Sequence, residues 1–143
     1  MKLDVRTKEK IHDVSGAAKI LTAVLSIEHP IDRDREHFWV IGLTAKNGVK
    51  FVELVSLGTL TASLIHPRET YRLAIMEGVA NIIVGHNHPS GDTTPSREDA
   101  SITQRLYAAG EILGIKLLDH VIIAENGEHF SMLAKGLLSQ EVI

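Results

Sequence analysis

The chain of 143 residues has no cysteine. That one absence excludes disulfides, thiolate metal sites and a cysteine nucleophile together, and it fits a cytoplasmic protein. Long charge runs of one sign are also missing. The net charge is −3 and the pI is near 6.2, so no broad basic surface for nucleic acid is implied. No apolar stretch approaches the ~20 residues needed to span a membrane. Met1-Lys2-Leu3-Asp4 lacks the apolar core of a secretory signal. There is no repeat and no low-complexity linker. What is present suits one compact domain: 44% hydrophobic residues in a chain this long can bury a sizeable core. Eight histidines are many for this length, a first hint of metal or proton chemistry.

Residues 1–14 are polar and mixed, and read as a poorly anchored arm before a domain over 15–143. From Ser15 the pattern is helical: Ala17, Ile20, Leu21, Val24 and Leu25 share a face, and Ser15 can cap the start. Pro30 and the charged run 32–35 end that helix. His37–Leu43 is a continuous apolar strand. Asn47-Gly48 marks a hairpin, and Val49–Ser56 returns from it. Thr59–Ile65 is β-like. Pro67 suits a helix start, with Tyr71, Ala74 and Ile75 on its buried face and Gly78 as its stop. Asn81–His86 is a short buried strand, and 88–95 is a loop by composition. A helix is expected over 97–113, with Ile102, Leu106, Ala109 and Leu113 on one stripe and Gly114 as its stop. Strands 115–124 and 129–133 flank a second hairpin signal, Asn126-Gly127. This order predicts an α/β (α+β) domain, with a mixed, curved sheet flanked by helix 15–26 on one side and helix 97–113 on the other.

The segment with chemical content is His86-Asn87-His88, then seven residues, then Ser96-Arg97-Glu98-Asp99. Residues two apart on an extended segment point the same way, so both imidazoles face one point at a strand end. Asp99 stands in the first turn of the next helix, in register with Ile102 and Leu106, and so faces inward. Two imidazoles and a carboxylate leave a fourth tetrahedral position open for water, as in catalytic zinc sites. Each fragment also has a plainer reading. Ser96-X-X-Asp99 is a good capping box, and Pro89-Ser90-Gly91 is a turn. Capping alone does not account for the two preceding histidines.

His86-Asn87-His88-X7-Ser96-X-X-Asp99 resembles the JAMM metalloprotease signature of the MPN/JAB fold, which shares cytidine-deaminase-like layering. Four longer blocks are similar to the bacterial RadC family: His66-Pro67-Arg68-Glu69, Gly85–Asp92, Pro95-Ser96-X-X-Asp99 and Leu118-Asp119-His120-Val121-Ile122-Ile123. The similarity covers about residues 15–143. It implies Zn2+ on His86, His88 and Asp99 and a glutamate acting as general base. The candidates for that base are Glu36 just before the first strand, Glu53 on the second, and Glu69 at a helix start, where a capping role is the alternative. Glu36 is the choice, and Ser96 would donate to the oxyanion.

The resemblance therefore implies a zinc-dependent hydrolase that cleaves a peptide or isopeptide bond in a peptide or protein substrate. A non-catalytic zinc-binding interaction module is one alternative. A DNA-repair or DNA-processing accessory protein is another, by family label. Family members often carry an N-terminal helix-hairpin-helix-like region, whereas this chain starts almost directly at the catalytic domain. With its acidic balance, direct DNA binding is not expected. His66 and His120 lie in the family-like blocks, where a polar structural role competes with a role behind the metal ligands. His12, His29, His37 and His129 read as surface residues, Arg68 and Arg72 as a solvated helix face, and Trp39 as core.

Overall fold

A computed structural model describes residues 1–3, 10–58 and 64–138. The elements are β1 (Lys2–Leu3), α1 (Val14–Ser26), α2 (Pro30–Arg33), β2 (His37–Leu43), β3 (Val49–Leu57), α3 (Pro67–Thr70), α4 (Arg72–Glu77), β4 (Asn81–Asn87), α5 (Arg97–Leu113), β5 (Lys116–Ile123) and β6 (His129–Ser131). They form one six-stranded mixed sheet in the order β1-β3-β2-β4-β5-β6. Among the described residues only β4 and β5 run parallel. The helix α5 supplies the long crossover that a parallel pair requires.

Every residue of β2 is buried, because the sheet is covered on both faces. Alternation divides the strand between two cores. Phe38 and Val40 join Tyr71, Ile102 and Leu106 under α4 and α5. Trp39, Ile41 and Leu43 join Leu21 and Leu25 of α1. The expected helices therefore lie on opposite faces of the sheet. Gly85 allows α1 to come close, since a Cβ there would stand 2.2 Å from the Leu21 side chain. The first hairpin turns at Asn47, whose φ of 63° is tolerated by asparagine. Among the described residues no helix is long and apolar enough to cross a membrane.

Several local expectations change. The cap of α1 is Asp13, not Ser15: its Oδ1 accepts from the amides of Ser15 and Gly16 at 3.0 and 3.1 Å, and so satisfies two of the helix's unpaired donors. The start of the expected arm is held, because Lys2 and Leu3 pair with Glu53 and Val52 and make β1 an edge strand. The helix after His66 breaks into α3 and α4 at Tyr71, whose hydroxyl donates to the Leu106 carbonyl at 2.7 Å. Ile75, expected inside, is 55% exposed. Leu113 is exposed at the end of its stripe. Of the β-like segment Thr59–Ile65, residues 59–63 lie outside the described residues, and Ile65 is buried without being in a strand.

Candidate metal centre

The site forms where β4 ends beside β5 and α5 begins. His86, in the last turn of pleat of β4, sits between Phe38 of β2 and Ile122 of β5. His88 lies just past the strand. Its Nδ1 is 2.7 Å from the Asp92 carbonyl, to which it donates, and this anchors the loop that leads to α5. The N-terminus of α5 closes as a full capping box. The Asp99 amide donates to Ser96 Oγ at 3.1 Å and the Ser96 amide donates to Asp99 Oδ2 at 2.8 Å. The capping reading of Ser96-X-X-Asp99 is therefore correct, and the cap aims the Asp99 carboxylate inward, toward the histidines.

Three side chains converge. His86 Nε2 and His88 Nε2 lie 2.9 Å apart. Asp99 Oδ1 is 3.2 Å from His86 Nε2, and Oδ2 is 3.1 Å from His88 Nε2. One atom from each residue lies within 4.8 Å of the others, so the group could hold a metal ion. The donor set fits such an ion. A tetrahedral zinc with bonds of ~2.1 Å separates adjacent ligand atoms by roughly 3.4 Å, so the nitrogen–oxygen spacings of 3.2 and 3.1 Å are near that value and the two nitrogens, at 2.9 Å, would open slightly. The Nδ1 proton of His88 is committed to Asp92, so its Nε2 is a bare lone pair in the neutral ring. A lone pair facing a carboxylate at this distance needs a positive partner between them, either a proton on Nε2, as the hydrogen bond to Asp99 has it, or a metal ion.

Electrostatics agree. Burial raises the Asp99 pKa, but hydrogen bonds with His86 and His88 outweigh it and hold the carboxyl well below the usual range. The hydrogen bond with Asp99 raises the His88 pKa, and burial opposes it less strongly. Glu36 is among the charges that reach His88.

Glu36 and Ser96 line the same open cleft of about 710 Å³ as His88 and Asp99. Glu53 does not line it. Glu53 lies on β3 beside β1, 3.9 Å from the N-terminal amine, with Arg72 among the charges acting on it. Glu69 is in the first turn of α3. His66 is the N-cap of that helix, with no capping bond from its side chain, and Arg68 and Arg72 are exposed.

The residue between the two histidines had no assigned role, yet it organises the cleft. Asn87 Oδ1 accepts from the His37 amide at 2.6 Å, and Nδ2 donates to the carbonyls of Arg33 and Arg35 at 3.3 and 3.0 Å. These bonds clasp both sides of Glu36. His37, expected at the surface, is 0% exposed. Its ring stacks on Trp39 and bonds Glu28 Oε2 at 2.5 Å and the Arg35 carbonyl at 2.7 Å, because the α1–α2 connection folds over the start of β2. His120 is also fully buried, with Nε2 2.8 Å from His86 Nδ1. His12, His29 and His129 are exposed as expected.

A six-stranded mixed sheet flanked by helices, with a histidine pair at a strand end and an aspartate in the following helix, defines a JAB/MPN-like domain. Residues 13–137 match the family described as the RadC-like JAB domain, and the chain belongs to that family. Similar proteins include the UPF0758 protein of Desulforudis audaxviator, 57% identical over 104 residues, which cover 73% of this chain and 45% of that protein. The UPF0758 protein of Desulforamulus reducens is 51% identical over 114 residues, covering 80% and 50%. That of Methanococcoides burtonii is 40% identical over 140 residues, covering 96% and 59%. The chain spans about half the length of the curated relatives it matches.

Proposed function

We propose that this domain is a zinc-dependent hydrolase of the JAMM type, acting on a peptide or isopeptide bond. The observation that carries the reading is the convergence of His86, His88 and Asp99 at a cleft that His88, Asp99 and Glu36 line. His86, His88 and Asp99 would hold the ion. Zinc bound there would lower the pKa of a water toward ~7 and polarise the scissile carbonyl. Glu36 takes the proton of the attacking water and delivers it to the leaving amine. Ser96 Oγ already accepts from the Asp99 amide, which leaves its own hydrogen to donate toward the oxyanion of the substrate. The Asn87 clasp keeps Glu36 at the cleft without adding charge to it.

The test is Glu36→Gln in the zinc-loaded protein against a panel of peptide and lysine-isopeptide substrates. Zinc content should be unchanged, because Glu36 is not a ligand. Hydrolysis should fall roughly 10²–10⁴-fold, because an amide cannot take the proton. Loss of zinc in this variant, or full activity, contradicts the assignment.

A further inference from the structure

An imidazole can bind a metal through Nε2 only if Nε2 is bare, so its proton must sit on Nδ1. For His88 the Asp92 carbonyl ensures this, since a carbonyl can only accept. His86 is different. Its Nδ1 faces neither a carbonyl nor a carboxylate but a third imidazole, His120, at 2.8 Å. An imidazole can donate or accept, so the pair alone leaves the tautomer of His86 open.

The next residue in the chain of contacts resolves it. Thr103 Oγ1 is 2.7 Å from the Asp99 carbonyl, which again can only accept. The single hydroxyl proton of Thr103 is therefore committed there. Thr103 Oγ1 also lies 2.5 Å from His120 Nδ1. With its proton engaged it accepts at that contact, so His120 Nδ1 is the protonated nitrogen. A neutral His120 then offers a bare Nε2 to His86, and His86 donates to it from Nδ1. The bare Nε2 of His86 faces His88 and Asp99.

Resting on the metal-centre reading above, we infer that Thr103 and His120 form a hydrogen-bond relay that fixes the tautomer and ring orientation of His86, making His120 a positioning residue for the ion. The His120 ring is held in place by its surroundings. The ring is fully buried, edge-on to Phe38 with centroids 6.1 Å apart. The backbone beneath it is fixed as well: Asp119 Oδ1 accepts the His120 amide at 2.7 Å, and Oδ2 accepts from Ser131 at 2.6 Å. A neutral relay adds no charge to a centre that already has Asp99, whereas a carboxylate in its place would add a second. Thr103 is one turn along α5 from Asp99, so the helix that delivers one ligand also sets the proton position of another.

Two measurements test the relay, one of them without metal. In long-range 1H–15N spectra of the metal-free parent, His120 should show the Nδ1–H tautomer, and an Nε2–H tautomer overturns the relay whether or not the protein takes up zinc. In chelator competition with zinc alone, His120→Leu removes the acceptor while keeping an apolar side chain, and affinity should fall roughly 10–100-fold. His120→Gln, whose Oε1 can replace Nε2 as acceptor, should recover part of that loss, and Thr103→Val should show a smaller loss in the same direction. A purely structural role would not be rescued by Gln in this order. Unchanged zinc affinity in both His120→Leu and Thr103→Val overturns the relay. A parent that binds no zinc but shows the Nδ1–H tautomer refutes the metal-centre reading and leaves the hydrogen-bond order upheld. Should His120→Leu fail to fold, Thr103→Val and the parent spectra still decide.

Discussion

Removing the Asn87 side chain should loosen the segment that carries Glu36 while leaving the metal ligands in place. Asn87 is 2% exposed, and the amide it accepts belongs to His37, which is 0% exposed. In Asn87→Ala that donor is left without a partner in a site water does not reach, at a cost of ~1–3 kcal/mol. The two bonds to the Arg33 and Arg35 carbonyls are lost as well. Those residues are less buried, water replaces Asn87 there, and the loss is nearer ~0.5 kcal/mol each. The sum is roughly 2–4 kcal/mol. At ~3–4 °C per kcal/mol for a domain of this size, Tm should fall by about 6–16 °C. Asn87→Asp keeps the acceptor for the His37 amide but turns an oxygen toward two carbonyls, so it should fall between the parent and Ala. Denaturant unfolding gives the stability change, and zinc titration of the same samples shows whether the ligands stay in place. Zinc affinity within a few-fold of the parent, with hydrolysis reduced, is the expected pattern. A stability loss under ~1 kcal/mol in Asn87→Ala would refute the clasp.

If Glu36 is the base, Glu53→Gln should retain hydrolysis under the conditions in which Glu36→Gln loses it; the reverse result would move the role to Glu53. In the metal-free protein the His88–Asp99 pair makes stability depend on pH with a definite sign. The raised His88 pKa contributes stability that is present below its ordinary value of 6.5 and lost as pH rises through the folded value. The depressed Asp99 pKa contributes stability that is present above 3.8 and lost as pH falls through its lower folded value. Metal-free Tm should therefore decline as pH rises above about 6.5 and through the raised folded value of His88, and His88→Gln should flatten that slope. Gly85→Ala places a methyl against Leu21, and should cost ~1–3 kcal/mol by forcing α1 away from β4, read as a lower denaturation midpoint.

The parts of this fold legible in the sequence are those whose signals are local. The strand His37–Leu43 is bounded as expected because a continuous apolar run stands between a charged segment and an Asn-Gly turn. The helix Arg97–Leu113 has a capping box at one end and Gly114, in the left-handed region, at the other. The convergence of His86, His88 and Asp99 is legible for the same reason, since the two-residue spacing and the cap fix its direction within one strand–loop–helix unit. What escaped depends on partners brought together by the sheet. Thr103 is 17 residues from His120, Glu28 is 9 from His37, and Asn87 is 50 from the amide it binds. A histidine buried by such a partner has the same local sequence as one in solvent, which is why His37 was expected outside. The Asp13 cap was missed because Asp13 and Ser15 are both good capping residues two positions apart, and only backbone geometry separates them.

The metal content of the untagged protein tests the central claim most directly. Elemental analysis after zinc loading and dialysis should find about one zinc per chain in the parent and little in His88→Ala. A parent that remains metal-free and refuses added zinc, or a His88→Ala variant that keeps the full complement, would contradict the assignment of His86, His88 and Asp99 as the ligands.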